Sequence, residues 1–143
     1  MILLDTNVLS EVMRTKPAPQ VLAWMDDLRS TTIYVCSVTE AELLLGVALL
    51  AAGKRRSTLA SQVKTLFATL FHQRCLAFDS PAAAHYAQIV SHRQRIGRPI
   101  STEDAQIAAI AVSHGYRLAT RNVADFVNIE ALTIVNPWDL KKT

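Results

Sequence analysis

The first fourteen residues, MILLDTNVLSEVMR, constrain this chain more than any other stretch. Ile2, Leu3 and Leu4 form a short apolar run that reads as a buried strand. Asp5, Thr6 and Asn7 follow at once, and a helical pattern begins. A strand buried on both faces belongs in a parallel sheet covered by helices. Asp5 then has two readings. Its carboxylate suits the cap of the helix starting at Thr6. It also stands just past the carboxyl end of a strand, where open α/β sheets bind their ligands.

The alternation continues along the chain. A helix is expected over 6–13 and, after a break at Pro17 and Pro19, another over 20–29. TIYVCS at 32–37 is β-branched and aromatic, hence a strand. Helices follow over 38–52, ended by Gly53 as a C-cap glycine, and over 57–72. CLAF at 75–78 reads as a strand, 80–96 as a long helix ending near Gly97, and 102–114 as a helix ending at Gly115. RLAT at 117–120 and LTIV at 132–135 complete the strands. The expected fold is α/β: a central, mostly parallel sheet of about five strands with helices on both faces. A chain of 143 residues without repeats or linkers is expected to form one domain, 1–143.

Composition narrows the classes. Half of the residues are hydrophobic and 19% are charged, so a core can be buried and disorder is excluded. Ile2–Leu4 is too short for a signal-peptide core, and no apolar run approaches the ~18 residues of a membrane span, so a cytoplasmic protein with no membrane partner is expected. Cys36 and Cys75 lie in apolar strand-like runs and form no CxxC, which favours buried reduced thiols over a disulfide framework or a zinc site. The net charge is +3, with Lys54, Arg55 and Arg56 in one cluster and Arg93, Arg95 and Arg98 in a second. Such clusters suit a polyanionic partner; a solvated helix face is the competing reading.

The acids carry the chemistry. In TEAELLLGVAL (39–49), Glu40 and Glu42 point roughly 200° apart on a helix and cannot serve one site. Gly46 is the i+4 neighbour of Glu42 and leaves a bare patch on its face, open to a ligand or to tight helix packing. In ISTEDAQIAAIAVSHG (100–115), Asp104 sits in the first turn of a helix apolar nearly all round. There it can complete a capping box with Ser101 or complement the helix dipole. Asp5, Glu42, Asp104 and the TRN loop at 120–122 can also converge on one edge of the sheet. Converging carboxylates raise one another's pKa unless a cation neutralises them, and an all-oxygen donor set suits Mg²⁺ or Mn²⁺. The chemistry this permits is phosphodiester hydrolysis by an activated water. His85 and His92 lack a third ligand, and there is no P-loop, GxGxxG or GxSxG.

Taken in order, MILLDTNVLSE, TEAELLLGVAL, EDAQIAAIA, ATRNVADF and the closing NPW resemble the PIN-domain proteins of the VapC toxin type, most closely the FitB branch, over essentially the whole chain. The resemblance implies a PIN fold and a Mg²⁺-dependent endoribonuclease, with Mn²⁺ able to substitute. It further implies a toxin of a type II toxin–antitoxin system, held inactive by an antitoxin with a DNA-binding module. Carried onto this sequence, it makes Asp5, Glu42 and Asp104 the catalytic metal ligands, with Thr6, Asn7 and Thr120 in support. One position departs: Asn122 stands where the family often places a fourth acid, and Asp125 in the same loop is a candidate replacement. The RNA substrate, tRNA being one candidate, is expected to meet the basic clusters. The apolar runs VLAWM (21–25) and LLLGVALLAA (43–52) suit either core packing or an oligomer or partner interface, and the resemblance implies a homodimer and a hetero-oligomer with the antitoxin. The alternative is a PIN-like module that binds RNA or protein without cleaving, for which Asn122 is the best support. A structure-specific DNA nuclease is disfavoured, because the extra helical arches and acids of such enzymes are missing.

Overall fold

The computed structural model describes residues 1–29 and 32–139. Five strands, β1 (Ile2–Leu4), β2 (Ile33–Cys36), β3 (Cys75–Leu76), β4 (Arg117–Ala119) and β5 (Ile134–Val135), form one sheet in the order β3-β2-β1-β4-β5. Every neighbouring pair is parallel. Seven helices connect them: α1 (Thr6–Val12), α2 (Pro19–Asp26), α3 (Ser37–Ala48), α4 (Lys54–Ala68), α5 (Ser80–Arg95), α6 (Thr102–His114) and α7 (Val123–Phe126).

Alternation along the strands builds two cores. Leu3, Cys36 and Leu118 face α5 and α6 and pack with Ile89, Ile107 and Ile110. Ile2, Leu4, Ile33, Val35 and Ala119 face the other way, onto Val8, Leu9 and Phe71. Both faces are therefore covered, which is why these strands read as unbroken apolar runs.

β1 is central, and the order of the chain reverses around it: β2 and β3 extend to one side, β4 and β5 to the other. The gap beyond the carboxyl ends of β1 and β4 is thus a topological switch point, the place where such sheets bind ligands. Asp5 follows β1 and Thr120 follows β4, so both are delivered to it. The Asp5 backbone N–H donates to Ala119 O at 2.9 Å, extending the ladder to the switch point.

Several expected boundaries move. Gly53 does not end α3, whose C-cap is Leu49; with φ 152°, it opens α4 instead. Only glycine enters that backbone region readily, so it marks the tight turn between two helices. α4 consequently starts at Lys54, and the basic cluster forms its first turn. Pro19 does not break a helix but begins one, at the position where its missing N–H costs nothing. Within CLAF and LTIV only two residues each pair with the sheet, and the TRN loop leads into the unexpected short helix α7.

Candidate active site

Asp5 lies at the centre of the switch point and is 4% exposed. Its Oδ1 accepts the Thr6 backbone N–H at 2.8 Å and so caps α1. Its Oδ2 accepts the Thr120 hydroxyl at 2.7 Å and the Asn7 side-chain amide at 3.0 Å. The two readings of Asp5 are therefore compatible. A carboxylate offers about four lone-pair sites, and three are filled by donors of this chain. Burial pushes its pKa up, against these hydrogen bonds, and the charge of Asp125 adds to the rise.

Glu42 reaches the same place from α3. Its Oε1 accepts the Thr6 hydroxyl at 2.9 Å, and that hydroxyl also stands 3.1 Å from Thr39 Oγ1. Partial burial raises its pKa, with Asp5 and Glu103 contributing repulsion. Asp104 enters from the first turn of α6, where Ser101 caps the helix by accepting the Asp104 backbone N–H at 3.1 Å. Burial first, then the negative charges of Asp5, Asp125 and Glu42, push Asp104 up to about 6. Asp5, Glu42, Asp104, Thr6, Asn7 and Asn122 line one cleft of about 500 Å³. Thr120 stands behind Asp5, fully buried, and accepts the Asn122 backbone N–H at 3.0 Å. Glu40 lies apart, with Cys75 Sγ 4.0 Å from its Oε1, as its helical position required.

Other expected residues lie elsewhere. Asp125 is exposed and does not line the cleft, though its charge is felt by Asp5 and Asp104. Gly46 lines a neighbouring groove that shares Thr6 and Glu42 with the cleft, and a methyl group there would touch nothing within 4 Å, so tight packing does not explain it. Lys54 and Arg55 line that groove, of about 1380 Å³, between α1, α3 and α4. Arg95 and Arg98 are exposed. Arg93 is not a surface contact at all. It is 4% exposed, and its guanidinium donates to Arg98 O at 2.6 Å, Asp125 O at 2.9 Å and Val127 O at 3.0 Å. The turn at Gly97 and the C-terminal end of α7 present carbonyls that need donors, and Arg93 supplies them.

The cleft also contains residues that pattern-reading passed over: Glu11, Arg14, Arg121 and Trp138. Asn7, Glu11 and Arg14 follow one helical face at i, i+4 and i+7, a signal that could have exposed them. Glu11 accepts the Ala18 backbone N–H at 2.9 Å and Arg14 Nη1 at 3.2 Å. These bonds, the Ala18 one foremost, hold its carboxyl below the usual range and engage it with the chain after α1.

Among the described residues, no three His, Cys, Asp or Glu side chains form a ready-made metal cage. Mg²⁺ does not require one, because it commonly takes one or two carboxylates and keeps several waters. Three acids with elevated pKa around one cleft, with no cation among the described residues bonded to them, are the donor chemistry such an ion neutralises.

Residues 2–132 match the PIN domain, and the chain belongs to the PIN-domain family. Among its relatives it is similar to Toxin FitB of Neisseria gonorrhoeae, at 44% identity over 96% of this chain and 99% of that one. It is also similar to VapC ribonuclease Y4jK of Sinorhizobium fredii, at 39% identity over 97% and 99%. The solved structure of FitAB bound to a DNA fragment superposes with a TM-score of 0.92 at 42% identity, covering 99% of each chain.

Proposed function

We propose that residues 1–143 form a single PIN domain that acts as the toxin of a type II toxin–antitoxin pair, an endoribonuclease dependent on a divalent cation, with Mg²⁺ the ion its donors suit best. The observation that carries this reading is the convergence of Asp5, Glu42 and Asp104 at the β1–β4 switch point. The names of the relatives, a toxin and a VapC ribonuclease, support it, and PIN ribonucleases are in general divalent-metal dependent.

Asp5, Glu42 and Asp104 would hold the ion, with Asn122 offering a neutral carbonyl. Bound there, a divalent cation supplies Lewis acidity toward a phosphodiester and lowers the pKa of an attacking water. The chain's own part is orientation. Thr120, Asn7 and Thr6 N–H orient the Asp5 carboxylate, and the Thr6 hydroxyl orients Glu42, which turns these two acids toward the cleft. Exposed Lys54, Arg55, Arg95 and Arg98 would attract the RNA backbone, a salt-sensitive contribution.

The antitoxin partner is supported by the likeness to FitAB, a DNA-bound assembly. The groove between α1, α3 and α4 has an apolar floor (Leu43, Val47, Leu50, Leu59) and a basic rim (Lys16, Lys54), which suits an amphipathic acidic helix. Leu44 and Leu45 on α3 and Leu49 at its C-cap are 49%, 58% and 77% exposed, an apolar surface that suits a second copy of the chain. No helix among the described residues is long and apolar enough to cross a membrane. A second reading, a module that binds RNA without cleaving it, draws on the uncharged Asn122 at the cleft. Incubating transfer and ribosomal RNA with the partner-free chain in Mg²⁺, Mn²⁺ or EDTA, beside an Asp104→Asn control, separates the two. Metal-dependent fragments that vanish in the control support the nuclease; binding without cleavage supports the module.

A further inference from the structure

We propose that Arg121 and Trp138 form a nucleotide subsite beside the acidic centre, in which the guanidinium contacts a phosphate of single-stranded RNA and the indole stacks on the adjoining base. The proposal rests on the RNA-directed reading above and adds the residues that grip the strand next to the reacting phosphate.

Three observations carry it. First, the pair is tethered to the acids. The Asn7 amide that donates to Asp5 Oδ2 at 3.0 Å accepts the Arg121 backbone N–H on its other side, at 3.1 Å. Arg121 and Trp138 line the same cleft as Asp5, Glu42 and Asp104. One side-chain amide thus links Asp5 to the Arg121 backbone, and the cleft that holds the acids also holds the Arg121 side chain.

Second, Arg121 is spare. Of the two arginines lining the cleft, Arg14 is bonded to Glu11 at 3.2 Å. Arg121 is exposed and forms no ion pair with a carboxylate among the described residues; its charge is felt by Glu11, yet Asp5, Glu11, Glu42 and Asp104 all line the same space unbonded to it. A cation that bonds none of the acids around it is available to an external anion. Its planar donor fork matches a phosphate.

Third, the guanidinium carbon lies over the Trp138 ring, 5.0 Å from its centre. Trp138 packs against the core on the α1 and α2 side of the sheet while also lining the cleft, and its backbone N–H donates to Asn136 Oδ1 at 3.0 Å, which fixes the turn. The indole is therefore backed by the core where it meets the cleft. Rigid aromatic faces beside arginine planes are how proteins hold unpaired bases.

The test uses the full chain carrying Asp104→Asn, so that bound RNA survives, titrated with a dye-labelled single-stranded RNA oligonucleotide in Mg²⁺ at several salt concentrations. Added to this background, Arg121→Ala should lower the salt slope of binding by about 0.7. Arg121→Lys should restore that slope. Trp138→Leu should weaken binding about tenfold with the slope kept, whereas Trp138→Phe, which keeps an aromatic face, should stay within about threefold. In parallel, KM and kcat for RNA cleavage are measured on the active chain with and without Arg121→Ala, a rise in KM at unchanged kcat being the expected result. Melting curves on each variant confirm folding, and Arg121→Ala, an exposed change, keeps the test alive if a Trp138 variant unfolds. Normal cleavage with KM and salt slope unchanged in Arg121→Ala overturns the subsite and leaves the nuclease standing. Arg121-dependent binding by a chain whose wild type never cleaves supports the subsite and overturns the nuclease. No RNA binding by the Asp104→Asn parent overturns the subsite.

Discussion

The acidic cleft and the Arg93 knot both bury charge, and they bury it in opposite ways. At the end of α5, the Arg93 guanidinium meets three backbone carbonyls and, among the described residues, no acid. Its donors are well used and the surrounding carbonyls gain partners, so the arrangement is complete within the chain. At the switch point, Asp5 also collects three hydrogen bonds, yet its pKa and those of Glu42 and Asp104 stay raised. The hydrogen bonds orient the acids without cancelling their charge. The contrast teaches that a buried charge satisfied from within is structural, whereas a cluster left in electrostatic debit marks a place made for something else.

The largest expected effect falls on the cleft. Asp5→Asn keeps the shape and most of the hydrogen bonding but removes the central charge. RNA cleavage should fall by more than about 100-fold, since altering even the partners of a metal ligand costs about 10–100-fold. Single-turnover assays at saturating Mg²⁺ check this; near-normal turnover would mean the acids are not the working centre. Next comes the knot. Arg93→Ala strands Arg98 O, Asp125 O and Val127 O and opens a void, a loss of about 3 kcal/mol. The melting temperature should drop by about 10 °C. The salt dependence of RNA binding should not change. A stable Arg93→Ala chain with a reduced salt slope would reverse the comparison and make Arg93 an RNA contact.

A smaller effect probes the link between orientation and charge. Thr120→Val keeps the volume and removes the hydroxyl that donates to Asp5 Oδ2 and accepts from Asn122 N–H. Mn²⁺ affinity, read by calorimetric titration, should fall about tenfold, with a stability loss of about 1 kcal/mol. Unchanged affinity would show that Thr120 holds the fold together rather than the acid.

How much of this was legible in the sequence follows the same division. Asp5, Glu42 and Asp104 could be picked out because each sits at a position its own segment defines: a strand end, a helix face, a helix first turn. The sheet was legible because strands buried on both faces are continuously apolar. What escaped depends on neighbours far along the chain. The Thr120–Asp5 hydrogen bond joins residues 115 apart. Arg93 looked like its exposed companions Arg95 and Arg98, since nothing local reveals that the α7 loop will close over it. Gly53 was readable as a turn but not as the start of α4 rather than the end of α3. The Arg121–Trp138 stack joins two loops that no periodicity connects. The α7 helix spans only four residues, too few to show a helical period.

The smallest effect tests the charge of the cleft through pH. In the folded chain Asp104 titrates near 6, against an ordinary value of 3.8. Because the folded pKa is the higher one, the native state binds the proton more tightly than the unfolded chain. The resulting stabilisation is fully present below about pH 3.8 and is lost as pH rises through about 6. Asp104→Asn stays neutral at every pH and so removes this dependence. In EDTA the variant should therefore match the wild type near pH 4 and exceed it near pH 7. The gain should be about 1 kcal/mol once solvent screening of a half-buried carboxyl is allowed for. That is a shift of about 3 °C in melting temperature. Adding Mg²⁺ at pH 7 should close the gap by stabilising the wild type alone. Parallel melting curves for the two chains from pH 4 to pH 7 would show that Asp104 stands outside the acid cluster. Curves that diverge and then rejoin on adding Mg²⁺ would place its charge in the centre that the cation neutralises.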